Sequence, residues 1–95
     1  MQCKLTHRYD STFASLPDDQ GGEGRHKCAG CAYAKGYQQG LALQSTMILD
    51  LRKLPDSQAG SVRHKSPHAA FALGYLHGVM ARYGTKDPNL SVTRT

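Results

Sequence analysis

Arg25-His26-Lys27 and Cys28-Ala29-Gly30-Cys31 stand side by side in this chain, and each combination can do chemistry. Arginine offers a planar fork for phosphate or carboxylate, lysine a point charge and histidine a hydrogen-bond donor, so the basic triplet reads as part of an anion cradle. The cysteine pair has the internal spacing of half a zinc site. A tetrahedral site needs two further ligands, for which Cys3, His7, His26, His64 and His68 are the candidates. The same pair could do thiol redox work, since Cys28 at a helix start beside three basic residues is expected to have a lowered pKa, although the strand that should precede a thioredoxin-like motif is missing. A third reading makes Cys28 and Cys31 two small buried thiols with no metal between them.

The basic triplet occurs twice, inside a longer repeat. Leu16-Pro17-Asp18 through Gly40 recurs 38 positions later as Leu54-Pro55-Asp56 through Gly78, with thirteen of twenty-five aligned positions identical. The repeats span residues 16–41 and 54–79, and two copies suggest a pseudo-two-fold domain, because a stacked solenoid needs about three or more. The repeated pattern is Gln-x-Gly-x-x-Arg-His-Lys: Gln20, Gly22, Arg25, His26 and Lys27, then Gln58, Gly60, Arg63, His64 and Lys65. It lies directly before a helix start, where free backbone N–H groups and the helix dipole already favour an anion. Solvated loop residues drift apart after a duplication, so their retention points to use.

A symmetric pair of cradles suits a phosphate-bearing ligand such as a nucleotide, a dinucleotide or an ADP-ribose-like signal. His68 is near enough in sequence to touch it, and Tyr33, Tyr37, Phe71 or Tyr75 could stack on a base. Two rival readings use the same residues. In a metal-independent phosphodiesterase, His26 and His64 serve as acid and base while Lys27 or Lys65 stabilises the charged transition state. In a zinc-supported nucleic-acid-binding module, the basic surface tracks a phosphate backbone. Binding is favoured over turnover, and Asp18, Asp19, Asp50 and Asp56 are too scattered for a two-metal nuclease.

The elements that must position these residues are mainly helical. Ser66-Pro67 reads as an N-cap followed by proline at the first helical position, opening a helix from Pro67 to about Tyr83. Alignment starts the first helix near Cys28 or Ala29 and ends it between about Ala42 and Ser45. Cys28, Ala32, Gly36 and Gly40 form a small-residue ridge, and Ser66, Ala70, Gly74 and Gly78 form its twin. Glycine inside a helix costs about 1 kcal/mol against alanine, and close approach of two helices along these ridges would repay it. The second helix is apolar around most of its circumference and is expected to be the buried one, with His77 exposed or satisfied by a neighbour. Cys3, Leu5 and His7 alternate with polar residues as a short strand or extended arm would, and Met47 to Leu51 reads as another strand. The expected class is therefore mainly α with minor β, in one small domain covering residues 1–95.

Ninety-five residues with 39% hydrophobic content can build only a thin core, so a metal or a second subunit is the expected support, and a homo-oligomer is expected. The net charge of +5 favours an anionic partner. No stretch has the apolar length of a spanning helix, so a membrane is not an expected partner. Three cysteines, an odd number, do not suggest a disulfide framework and fit a reducing, cytoplasmic setting. The polar tail from residue 85 is expected to be loose.

Overall fold

The computed structural model describes residues 2–19, 22, 24–57 and 60–84, so Gln20, Gln58 and the tail from 85 to 95 lie outside the described residues. Two α-helices dominate: α1 over Ala29–Leu41 and α2 over Pro67–Arg82. Short 3-10 helices cover Thr6–Tyr9, Ser11–Ser15, Leu51–Lys53 and Gly60–Val62.

The two helices begin differently. Ser66 caps α2 by accepting a hydrogen bond from the Ala69 amide at 3.1 Å, and Pro67 opens the first turn, where its missing N–H leaves nothing unpaired. Cys28 holds the matching place before α1 and makes no side-chain cap. Leu43, just beyond α1, and Gly84, just beyond α2, take left-handed backbone angles of 53° and 72°, a common way to close a helix.

α1 packs on α2 through backbone. A Cβ on Gly36 would run into the Phe71 carbonyl, and one on Gly74 into the Tyr33 carbonyl; Gly40 faces the Tyr75 carbonyl and Gly78 that of Tyr37. Phe71 and Tyr75 stand 38 positions after Tyr33 and Tyr37, so each glycine meets the counterpart of the residue its own counterpart meets. A side chain at any of the four glycines would have to displace main chain. Cys3, Phe13, Cys28, Ala29, Ala32, Leu54, Val62, Ala70 and Phe71 form the core cluster.

Three expectations need correction. Residues 2–15 hold two 3-10 helices and no strand, and the arm meets the segment at Asp56 through an isolated bridge at Gln2. Asp10 turns the chain by accepting from the Thr12 amide at 2.9 Å. Met47 to Leu51 also forms no strand, because the Gln39 side chain takes both backbone groups of Ile48, at 3.0 and 2.7 Å, and Asp50 accepts the Arg52 amide at 3.1 Å to start a turn. Those bonds occupy groups that a partner strand would need. Among the described residues the β content is isolated bridges. Finally, α2 is buried on one face only, and Leu76 on the other face is 48% exposed.

Candidate functional site

The segment before α1 and the N-terminal arm build one cluster. The 3-10 helix at Thr6–Tyr9 folds the arm back so that His7 lies beside Cys3, and the first turn of α1 presents Cys28 and Cys31 to the same spot. His7 Nε2 is 3.2 Å from Cys3 Sγ, 3.3 Å from Cys28 Sγ and 3.5 Å from Cys31 Sγ, and the Cys31 thiol donates to Cys3 Sγ at 3.6 Å. The four ligand atoms all lie within 4.8 Å of one another and could hold a metal ion. Cys3 and Cys28 are buried; His7 and Cys31 are half-buried.

Backbone bonds fix this cluster to the second half of the chain. The Cys3 amide donates to the Asp56 carbonyl and the Cys28 amide to the Pro55 carbonyl, both at 2.8 Å. Gly30 lies under the imidazole, and a Cβ at that position would collide with the His7 ring. Hydrogen bonding with Cys31 lowers the Cys28 pKa to about 5, against the opposing effect of burial. Cys31 moves the other way, held protonated by its interaction with Cys28, by burial and by the Cys28 charge.

Cys28, Cys31 and Cys3 are thus brought together, as their sequence pattern allowed. Of the histidine candidates, His7 joins them. His26 and His64 meet each other instead, edge to face, with ring centroids 5.5 Å apart, and His68 is exposed in the first turn of α2.

The Arg-His-Lys loops come together through paired bonds related by the 38-residue offset. The Ser57 amide donates to the His26 carbonyl at 2.9 Å, and the Asp19 amide to the His64 carbonyl at 2.8 Å. Lys27 Nζ pairs with Asp56 Oδ1 at 3.4 Å, and Lys65 Nζ with Asp18 Oδ1 at 3.0 Å. The Ser66 amide donates to the Pro17 carbonyl at 2.8 Å, matching the Cys28 to Pro55 bond. Each lysine therefore ties its own loop to the Pro-Asp turn of the other.

The arginines and histidines are placed differently from the lysines. Arg25 and His64 line a pocket of about 120 Å³ with Asp18 and Asp19. Arg25 Nε is buried and has no hydrogen-bond partner among the described residues. Next to it a wider groove of about 420 Å³ contains Gly22, Ser66 and His68 and shares the same two aspartates. Asp18 is already matched by Lys65, and Asp19 accepts the Gly22 amide at 2.9 Å. Arg63 and His26 are exposed. His64 adopts a left-handed backbone angle of 56°, a conformation that costs a non-glycine residue about 1–3 kcal/mol. Partial burial pushes its pKa down, followed by the charges of Arg25, Arg63 and His26, with Asp18 opposing.

The aromatic candidates serve mainly in packing. Tyr33 contacts Phe13 and stacks on Tyr37, and its hydroxyl lies 2.7 Å from Nδ1 of His77, which is buried. Tyr75 donates its hydroxyl to the Gln44 carbonyl at 2.6 Å. Phe71 is in the core.

Compared with known protein families, curated proteins and solved structures, the chain matches none. No helix among the described residues is long and apolar enough to cross a membrane.

Proposed function

We propose that this chain is an internally duplicated binding module with pseudo-two-fold symmetry. On this reading it holds a phosphate-bearing ligand, of the nucleotide, dinucleotide or ADP-ribose-like class, where its two Arg-His-Lys loops meet. The observation that carries this is the contact of His26 with His64, which joins the two repeated loops into one basic surface. The ion pairs refine the roles: Lys27 and Lys65 act as tethers between the halves, leaving Arg25, Arg63, His26 and His64 as the ligand contacts. Two guanidinium forks beside two imidazoles suit phosphate oxygens, and the adjoining groove is large enough for a small ligand, with His68 at its edge. The strained backbone of His64 fits a residue kept for its side chain. In the same reading the metal cluster supports the first loop, and a second copy of the chain covers the exposed apolar side of α2.

Binding is preferred to turnover on geometry. Acid and base acting on opposite sides of a phosphodiester need the substrate between them, and two rings in contact leave no such gap. A nucleic-acid ligand is the second reading, favoured by the net charge of +5.

The test is ligand binding by the full chain and by Arg25→Ala and Arg63→Ala, using a panel of nucleoside diphosphates and dinucleotides followed by calorimetry. Each substitution is expected to weaken binding; equal affinity in both variants and the parent would overturn the proposal. A steep fall in affinity for DNA or RNA with added salt, without binding to the small ligands, would move the conclusion to the second reading.

A further inference from the structure

Hydrogen bonding does not account for the geometry around His7. One ring N–H points along one bond, yet Nε2 has three sulfurs around it at 3.2, 3.3 and 3.5 Å. A single ion at the centre of the four donors does account for it. Zinc bound tetrahedrally to sulfur and nitrogen puts its ligands about 3.8 Å apart for two sulfurs and about 3.6 Å for sulfur and nitrogen. The three sulfur-to-nitrogen separations and the 3.6 Å from Cys31 Sγ to Cys3 Sγ lie just under those edges, and all four donor atoms are within 4.8 Å of one another. Three thiols and one imidazole are a soft donor set, suited to zinc and unsuited to magnesium or calcium.

From this we infer that Cys3, His7, Cys28 and Cys31 bind one zinc ion in a closed, structural site, and that Gly30 is the positioning residue that admits His7 as the fourth ligand. With four protein donors the ion has no open position for a substrate, so its work is to clamp the arm at 3–7 onto the start of α1. Gly30 matters because its missing side chain is the space the imidazole occupies. The second copy lacks all of this: Ser66 and Ala69 replace the two cysteines, and His68 stands where Gly30 would be. The inference does not require the phosphate reading, since none of the four ligands is among the residues assigned to the phosphate.

The full chain, stripped of metal under reducing conditions and kept in phosphate-free buffer, would be titrated with cobalt(II) and then with zinc(II). One equivalent of cobalt is expected to give thiolate-to-cobalt charge-transfer absorption with the intense visible bands of a tetrahedral site, and one equivalent of zinc to abolish both. Absence of these bands, or saturation at another stoichiometry, would overturn the inference, as would one equivalent of iron or copper in protein purified from cells. Gly30→Ala keeps every ligand and is expected to weaken zinc binding about 10–100-fold; unchanged affinity would remove Gly30 from the proposal. Because Cys28→Ser could simply fail to fold, His7→Cys serves as the second variant. It is expected to retain one equivalent of cobalt with the spectrum moved toward four thiolates, and an unaltered spectrum would show that position 7 is not a ligand.

Discussion

The starts of α1 and α2 occupy equivalent places in the repeat and are finished by different chemistry. Both receive the same frame: the Cys28 amide donates to Pro55 and the Ser66 amide to Pro17, each at 2.8 Å. α2 is then completed within its own segment, by the Ser66 cap and by Pro67. α1 has no such cap and is closed instead by an arm 20 or more residues away in sequence, through His7 and the three cysteines. A helix start that satisfies itself is local and unconditional. One that rests on four side chains from two segments is conditional on whatever holds them together, so the proposed zinc site would make the first helix start depend on metal and leave the second independent of it.

The largest expected effect follows from the zinc site inferred above. A chelator under reducing conditions should destabilise the zinc-loaded protein strongly, since a structural zinc site contributes binding free energy on the order of 10 kcal/mol to folding. Hydrogen exchange should speed up first at residues 2–9 and 29–32, while the start of α2 keeps its protection longer. Equal loss at both helix starts would break the contrast. Smaller, and meant to be symmetric, are Gly36→Ala and Gly74→Ala. Each forces a Cβ into a carbonyl of the other helix, so each should cost at least the upper part of the usual 1–3 kcal/mol for overpacking, roughly, less up to about 1 kcal/mol of helix propensity gained. Matched denaturant midpoints for the two variants are expected. A clear difference would mean that the helix contact is less even than the glycine contacts indicate. Ser66→Ala comes next, at about 1 kcal/mol, with the same loss in metal-loaded and metal-stripped protein, because its cap acts within α2 alone.

How much of this was legible in the sequence follows from the range of the forces involved. The helix starts were readable because proline, serine and the small-residue ridges act within a turn or two, and the observed α2 begins at Pro67 as expected. Cys28 and Cys31 announced themselves by spacing. His7 did not stand out among five histidines, since its role depends on a 3-10 turn that places it against Cys3 and on a space at Gly30 that only the packed structure defines. The strand readings failed for a related reason. Alternation in the arm and the apolar run at Met47 to Leu51 are local signals, but Asp10, Gln39 and Asp50 side chains capture the backbone groups that strand pairing would have used. The one sequence hint of that capture was an aspartate within or beside each apolar stretch. The lysine roles were also out of reach, because Lys27 and Lys65 are matched by aspartates from the opposite copy and only the fold brings those together.

The smallest effect separates the two loops themselves. His64 sits in the left-handed region beside Arg25, half-buried, and its pKa is pushed below the ordinary 6.5 by desolvation first and then by Arg25, Arg63 and His26. A histidine lowered in the folded state contributes its full share of stability above about pH 6.5, where both folded and unfolded chains carry it neutral. That share declines as pH falls from 6.5 through the folded-state value, because the unfolded chain takes up the proton first. An NMR titration of the ring protons should therefore find His64 below 6.5, and Arg25→Ala should move it upward by removing one of the facing charges. Phosphate in the loop pair should also move it upward, since an anion favours the protonated ring. A titration that ignores both Arg25→Ala and a saturating nucleoside diphosphate would separate His64 from the ligand surface, leaving the two halves distinguished by the cluster of three cysteines and His7 alone.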